Sequence, residues 1–172
     1  DKAEAARADA ERERRDQYAK AAEAAARMWA NCGKVETSHD YLVRKGIRPH
    51  GARLDSSGRL VLPVFDGKHC IQSLQFIDRG GEKRFFTGAT TSGGRLMLGK
   101  AADGSPIVLA EGFATAASIR EATEMVVVAG FSGSNLRHVA ADLRRQYSRS
   151  ALIIAGDLDA GGQGRKYADA AL

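Results

Sequence analysis

Three carboxylates stand just beyond apolar runs in the last third of the chain, where their types and spacing could do chemistry. Glu111 directly follows the run 106–110, and Asp157 and Asp159 follow the run 151–155. Side chains two apart on extended backbone point the same way, so Asp157 and Asp159 would face one side together while Leu158 turns back towards the core. Carboxylates converging on one rim repel each other unless a divalent cation neutralises them, and hard oxygen ligands suit Mg²⁺ or Mn²⁺. Metal-assisted phosphoryl chemistry is the natural use of such a set. Each residue also has a plainer reading. Glu111 would serve as an acidic group at the N-terminus of a helix starting near Thr115, and the aspartates as part of an ordinary turn before a helix from Gly164.

The elements that must position these groups are short. The runs 106–110, 125–129 and 151–155 are apolar throughout, the first two rich in β-branched residues, and read as buried strands. Segments with helical spacing, 114–122 and 134–147, lie between them. A β-α-β-α-β order with connections of that length implies parallel strands with crossover helices, whose chemistry gathers outside the carboxyl ends of the strands. Gly130, Phe131, Ser132, Gly133 and Ser134 follow the middle strand; alone they read as a tight strand-to-helix turn with Ser132 or Ser134 as N-cap.

Upstream the periodicity changes. Residues 1–29 are alanine-rich and highly charged without internal Gly or Pro, and Glu11–Arg15, Asp16–Lys20 and Glu23–Arg27 place acid before base at the helical spacing of four. This predicts a long helix docked only near Trp29, a connector or docking arm, ended by Gly33. A short helix is expected over 39–45. Residues 59–87 alternate with a period of two and carry hairpin signals at Asp66–Gly67 and 78–81, so an antiparallel meander is expected there. The Thr-, Ser- and Gly-rich stretch 87–94 has a phosphate-loop composition but not the Gly-Lys-Ser/Thr ending, and reads as a mobile connection. The organisation expected is therefore a charged helix over 1–33, a basic α+β subdomain over 34–103 and a parallel-sheet domain over 104–172. The chain opens in mid-helix and stops inside the helix after Asp159, so a piece of a longer protein is expected.

Composition sets outer bounds. With 172 residues, 44% hydrophobic and 27% charged, the chain has the makings of an ordinary soluble core, and no apolar run approaches the ~18 residues of a membrane span. The charged N-terminus is not that of a signal peptide, and a cytoplasmic protein with no membrane partner is expected. Cys32 and Cys70 form no C-x-x-C, and His39, His50, His69 and His138 show no ligand spacing, which argues against disulfide and zinc frameworks. Residues 31–100 carry 12 basic and 6 acidic side chains whereas 101–172 carry 7 and 8, so the positive excess sits in the middle third. A basic section beside an acidic metal site suits an enzyme acting on a polyanion; a merely basic solvated surface is the plainer reading.

Glu111–Gly112, the stretch 130–134, and Asp157, Leu158 and Asp159 with Gly161 and Gly162 together resemble the Toprim domain shared by bacterial-type primases, topoisomerases of types IA and II and certain nucleases, over residues 105–172. The wording of these motifs is most similar to primases of plasmids, phages and integrated mobile elements. What the resemblance implies is a Rossmann-like sheet with flanking helices, Glu111 as acid/base and metal partner, Asp157 and Asp159 holding Mg²⁺ or Mn²⁺, and Gly130, Ser132 and Gly133 with Gly161 and Gly162 as the shaping loops. The stretches 58–66, 71–76, 82–86 and 95–99 are similar to the small subdomain before Toprim in bacterial replicative primases. That similarity implies basic residues gripping template and nucleotide. Lys83 and Arg95 match best, with Arg84 and Lys100 beside them, and alternation allows only one of Lys83 and Arg84 on a given face. In the family a zinc-binding module commonly stands upstream, and the sheet normally continues beyond the D-x-D helix; neither feature is found in this chain. The expected function is the catalytic region of a DNA primase. It would make short RNA primers on a single-stranded DNA template from ribonucleoside triphosphates, with a replicative helicase as candidate partner. A Toprim nuclease and a non-catalytic DNA-binding or helicase-recruiting module are the alternatives.

Overall fold

A computed structural model describes residues 2–157 and 161–172. The opening helix, α1 (Lys2–Asn31), is exposed along most of its length, and the Glu11–Arg15 and Glu23–Arg27 pairs form on its surface at 2.6 and 3.8 Å. Only its last turns dock. Ala25 is fully buried, Met28 and Trp29 pack beside it, and the Arg53 guanidinium stacks 4.3 Å over the Trp29 ring.

Next comes a five-stranded antiparallel sheet built from β1 (Gly33–Lys34), β2 (Arg53–Leu54), β3 (Leu60–Phe65), β4 (Ile71–Ile77) and β5 (Lys83–Phe85), in that spatial order. The hairpins turn where the acidic residues cap them. Asp66 accepts the backbone N–H groups of Lys68 and Cys70, and Asp78 those of Gly81 and Glu82, each within 2.9 Å. A short helix, α2 (Asp40–Lys45), sits between β1 and β2 and closes on Gly46 in the left-handed conformation. Alternation along β3 separates two cores: Leu60, Leu62 and Val64 face inward, while Val61 turns to the α1 side with Leu74 and Phe76.

The second sheet holds β6 (Leu96–Leu98), β7 (Ile107–Ala110), β8 (Val126–Ala129) and β9 (Leu152–Ala155) in the order β6-β8-β7-β9. The last three are parallel, with Ala110 opposite both Ala129 and Ala155, so their carboxyl ends lie level. Helices α3 (Phe113–Thr123), α4 (Gly133–Gln146) and α5 (Gln163–Asp169) follow the strands. Val108 and Ala110 face α3 and the inner side of the first sheet, whereas Ile107 and Leu109 face Leu136, Val139 and Leu143 of α4. One core therefore runs from the antiparallel sheet through α3 to the parallel sheet.

Two placements do not follow from the sequence reading. The stretch 95–99, grouped by resemblance with the small subdomain before Toprim, pairs antiparallel with β8, because Leu96 and Leu98 bury in the shared core there; a bridge between Phe65 and Arg95 joins the two sheets. The run 151–155, expected to be buried, is a half-exposed strand with Ile153 46% accessible, since β9 has β7 as its one strand neighbour among the described residues.

Candidate active site

The level ends of β7, β8 and β9 bring Glu111, Gly130 and Gly156 side by side on strands about 4.8 Å apart. Asp157 lies one residue further along. Glu111 is not a cap: α3 begins at Gly112 with no side-chain cap bond, and the buried Phe113 ring anchors its first turn. Glu111 and exposed Asp157 instead line one cavity of about 370 Å³. Backbone contacts fix the Asp157 position. Gly164 in the first turn of α5 touches the Asp157 carbonyl so closely that any Cβ would collide with it, and Gly156 lies against Ala168.

The opposite wall of that cavity is cationic. Lys83 projects from β5, and an ideal Cβ at Gly112 would stand 3.8 Å from its Nζ. Arg44 and Lys45 come from α2, and Tyr41, at i with respect to their i+3 and i+4, joins them on the same face. The Arg44 guanidinium lies 5.8 Å from the Tyr41 ring centroid. Burial raises the Tyr41 pKa, with Arg44 acting against it, and its hydroxyl is buried without a hydrogen-bond partner among the described residues. Neither carboxylate and none of the three cations forms an ion pair among the described residues. Among the described residues, charges of both signs thus face each other unpaired across one concave space, an arrangement that suits a ligand carrying phosphates and a cation.

The other expected site residues fall into three groups. Arg84 points to the far face of β5, where it pairs with Glu82 at 2.9 Å, which settles the alternation in favour of Lys83 facing the carboxylates. Arg95 is not brought to the site. It is 3% exposed, and its guanidinium reaches Asp142 at 2.6 Å and Gln146 at 2.9 Å on α4. Lys100 is exposed beyond β6 and away from the cavity lining. Gly130 donates its N–H to Ala110 at 2.9 Å, Ser132 is the N-cap residue of α4 without a side-chain cap bond, and Gly133 lies against the Tyr167 ring with no room for a Cβ. Gly162 takes the left-handed conformation at the start of α5, next to exposed Gly161. Asp159 lies outside the described residues. Among the described residues, no three His, Cys, Asp or Glu side chains group closely enough to hold a metal.

Arg44, Lys45 and Phe131 line the cavity although the sequence reading had not assigned them to it. The signal for the first two was the Tyr41, Arg44, Lys45 spacing on the helix already expected at 39–45. Phe131 gave none, because its left-handed φ of 68° is set by the tight turn rather than by residue type.

A parallel set of strands with carboxylates at its carboxyl rim, facing a basic antiparallel sheet across a shared cavity, places the chain among α/β proteins with a site at the strand ends. The model of the Toprim domain matches residues 106–172, and that part of the chain belongs to the Toprim family. Two Escherichia coli proteins named DNA primase TraC are similar to the chain. One is 33% identical over 138 residues, covering 77% of this chain and 10% of that protein. The other is 31% identical over 164 residues, covering 80% of this chain and 16% of that protein. The chain thus spans under a fifth of the length of these curated relatives. Among solved structures, the primase fragment of the bacteriophage T7 primase-helicase protein matches with a TM-score of 0.58 at 19% identity, over 76% of this chain and 58% of that one. A T7 primase domain solved with lagging-strand DNA polymerase, an RNA/DNA hybrid and dTTP matches with the same TM-score at 21% identity, over 76% and 71%. These structural matches establish likeness of fold. No described helix is long and apolar enough to cross a membrane.

Proposed function

We propose that this chain is the catalytic region of a DNA primase, joining ribonucleotides into short primers on single-stranded DNA by divalent-metal-dependent nucleotidyl transfer. The observation that carries it is the cavity in which Glu111 and Asp157 of the Toprim rim face Lys83, Arg44 and Lys45, cations without an ion pair among the described residues. The relatives' names supply the reaction class, and the likeness to the T7 primase-helicase fragment makes a helicase the natural partner to test.

The donor set fits Mg²⁺ or Mn²⁺. Its oxygens are hard ligands, and among the described residues neither carboxylate is paired with a protein cation. Glu111 and Asp157 would hold the ion, with Asp159 as the third carboxylate. When bound, the ion lowers the pKa of the primer 3′-hydroxyl and neutralises the triphosphate. Glu111 accepts the proton of that hydroxyl as its oxygen attacks the α-phosphorus and pyrophosphate departs. Lys83, Arg44 and Lys45 orient the triphosphate and offset its charge, and Lys83 stabilises the leaving pyrophosphate.

Incorporation of labelled ribonucleotides on single-stranded DNA with Mg²⁺ or Mn²⁺ tests this reading. Wild type should give short template-dependent oligomers, reduced on the order of a hundredfold or more in Asp157→Asn. Shortening of the template without oligomers would instead make the same rim a nuclease. Oligomers from the variant at the wild-type rate would remove Asp157 from the reaction.

A further inference from the structure

A second cavity, of about 420 Å³, opens beside the first between the loop 87–94, the start of α4 and Tyr18 of α1. The two are separated by a single step of backbone: Phe131 lines the carboxylate cavity and Ser132 the second one. The left-handed φ of 68° at Phe131 turns these successive side chains into different spaces. Beside Phe131 stands Phe85, 36% exposed, with its ring edge-on to that of Phe131 at 6.2 Å. An exposed aromatic beside a phosphate-handling cavity offers a stacking face to a base.

The second cavity has the chemistry of a nucleic-acid track. Among the described residues its lining carries the Arg137 cation beside His138 and no carboxylate, and hydroxyls from Thr90, Thr91 and Ser134 supply neutral donors. Arg137 donates to His138 at 3.3 Å and has no carboxylate partner among the described residues. The loop wall is held in place. Buried Asn135 accepts the Gly93 N–H and donates to the carbonyls of Gly94 and Gly130, each within 2.9 Å, while Gly88 rests against Ala21 of α1. The stretch read from sequence as a mobile connection is therefore anchored at its C-terminal end. Pre-positioned hydroxyls, a cation and an aromatic face, without features that read base edges, match sequence-tolerant recognition of a single strand.

We propose that the template strand runs from the carboxylate cavity across Phe85 into this second cavity, its phosphates held by Arg137 and the loop hydroxyls and its outgoing end passing Tyr18. The inference rests on the primase reading above. It adds a binding surface on α4 and α1 that the carboxylate site does not require.

The test uses the whole chain with single-stranded DNA carrying 5-iododeoxyuridine, irradiated and mapped by peptide mass spectrometry, together with binding titrations of Arg137→Ala and Phe85→Ala over a range of salt. Crosslinks at Tyr18, Phe85 or His138 are expected. Phe85→Ala should weaken binding about fivefold or more, and Arg137→Ala should lower the slope of log affinity against log salt by about 0.7. Both residues are exposed, so a lost slope is not a lost fold. Crosslinks confined to 41–45 and 81–83, with both variants binding as wild type, would overturn the track and leave the primase reading intact. Absence of single-strand binding by wild type would overturn both.

Discussion

Lys83 and Arg95 show how neighbouring basic residues divide between chemistry and architecture. Lys83 lines the cavity with no ion-pair partner among the described residues, whereas buried Arg95 is held by Asp142 and Gln146. Lys83→Ala is expected to raise the KM for nucleotide about tenfold, as loss of a charge-assisted phosphate contact should. Arg84→Ala, on the far face, should stay within about twofold, and steady-state kinetics separate the two. The Arg95 pair acts on stability instead. Its hydrogen bond, then that of Arg145, holds the Asp142 carboxyl below its ordinary pKa against the opposing effect of burial. A carboxyl lowered on folding contributes stability that is full above its unfolded value, ~3.9, and is lost as pH falls through the lower folded value. Asp142→Asn should therefore be less stable than wild type at neutral pH and show a flatter decline below about pH 4, read as urea midpoints against pH. Sequence alone could not divide these roles, because Lys83, Arg84 and Arg95 are equally basic and only the register of β5 and the position of α4 separate them.

At the scale of elements, the strand ends do the positioning. Apolar runs closed by acidic or glycine-rich residues were legible as β7, β8 and β9, since their β-branched content and the helical spacing between them admit few topologies. The placement of β6 was not legible. Three residues carry no signal of their partner strand, and the pairing with β8 goes with long-range packing of Leu96 and Leu98. The seat of α5 on Asp157 was equally silent in sequence, although Gly164 is its mark: a glycine inside a helix where the chain passes close to another backbone. Gly164→Ala should push α5 off the end of β9. Overpacking against backbone costs about 1–3 kcal/mol, and the displaced Asp157 should lower metal-dependent activity about tenfold or more, a larger loss than the fall in thermal midpoint alone explains. Calorimetry and the primer assay on the same preparation check both parts.

For the molecule as a whole, neither sheet makes the site alone. The parallel sheet supplies Glu111 and Asp157, the antiparallel sheet and α2 supply Lys83, Arg44 and Lys45, and one core from Leu62 through Phe113 to Val127 holds the two walls at their spacing. The sequence showed the two chemistries as an acidic last third and a basic middle third, and motif resemblance paired them; it could not show that they share a cavity, which depends on packing between distant segments. Primase chemistry here requires that the carboxylate wall of this cavity take a divalent cation. The most direct measurement is Mn²⁺ binding to the whole chain, followed by the electron paramagnetic resonance signal of the free ion, for wild type, Glu111→Gln, Asp157→Asn and Lys83→Ala. Binding is expected in wild type, about tenfold or more weaker in each carboxylate variant, and undiminished when the Lys83 charge is removed. Wild-type affinity in both carboxylate variants would contradict that placement of the cation.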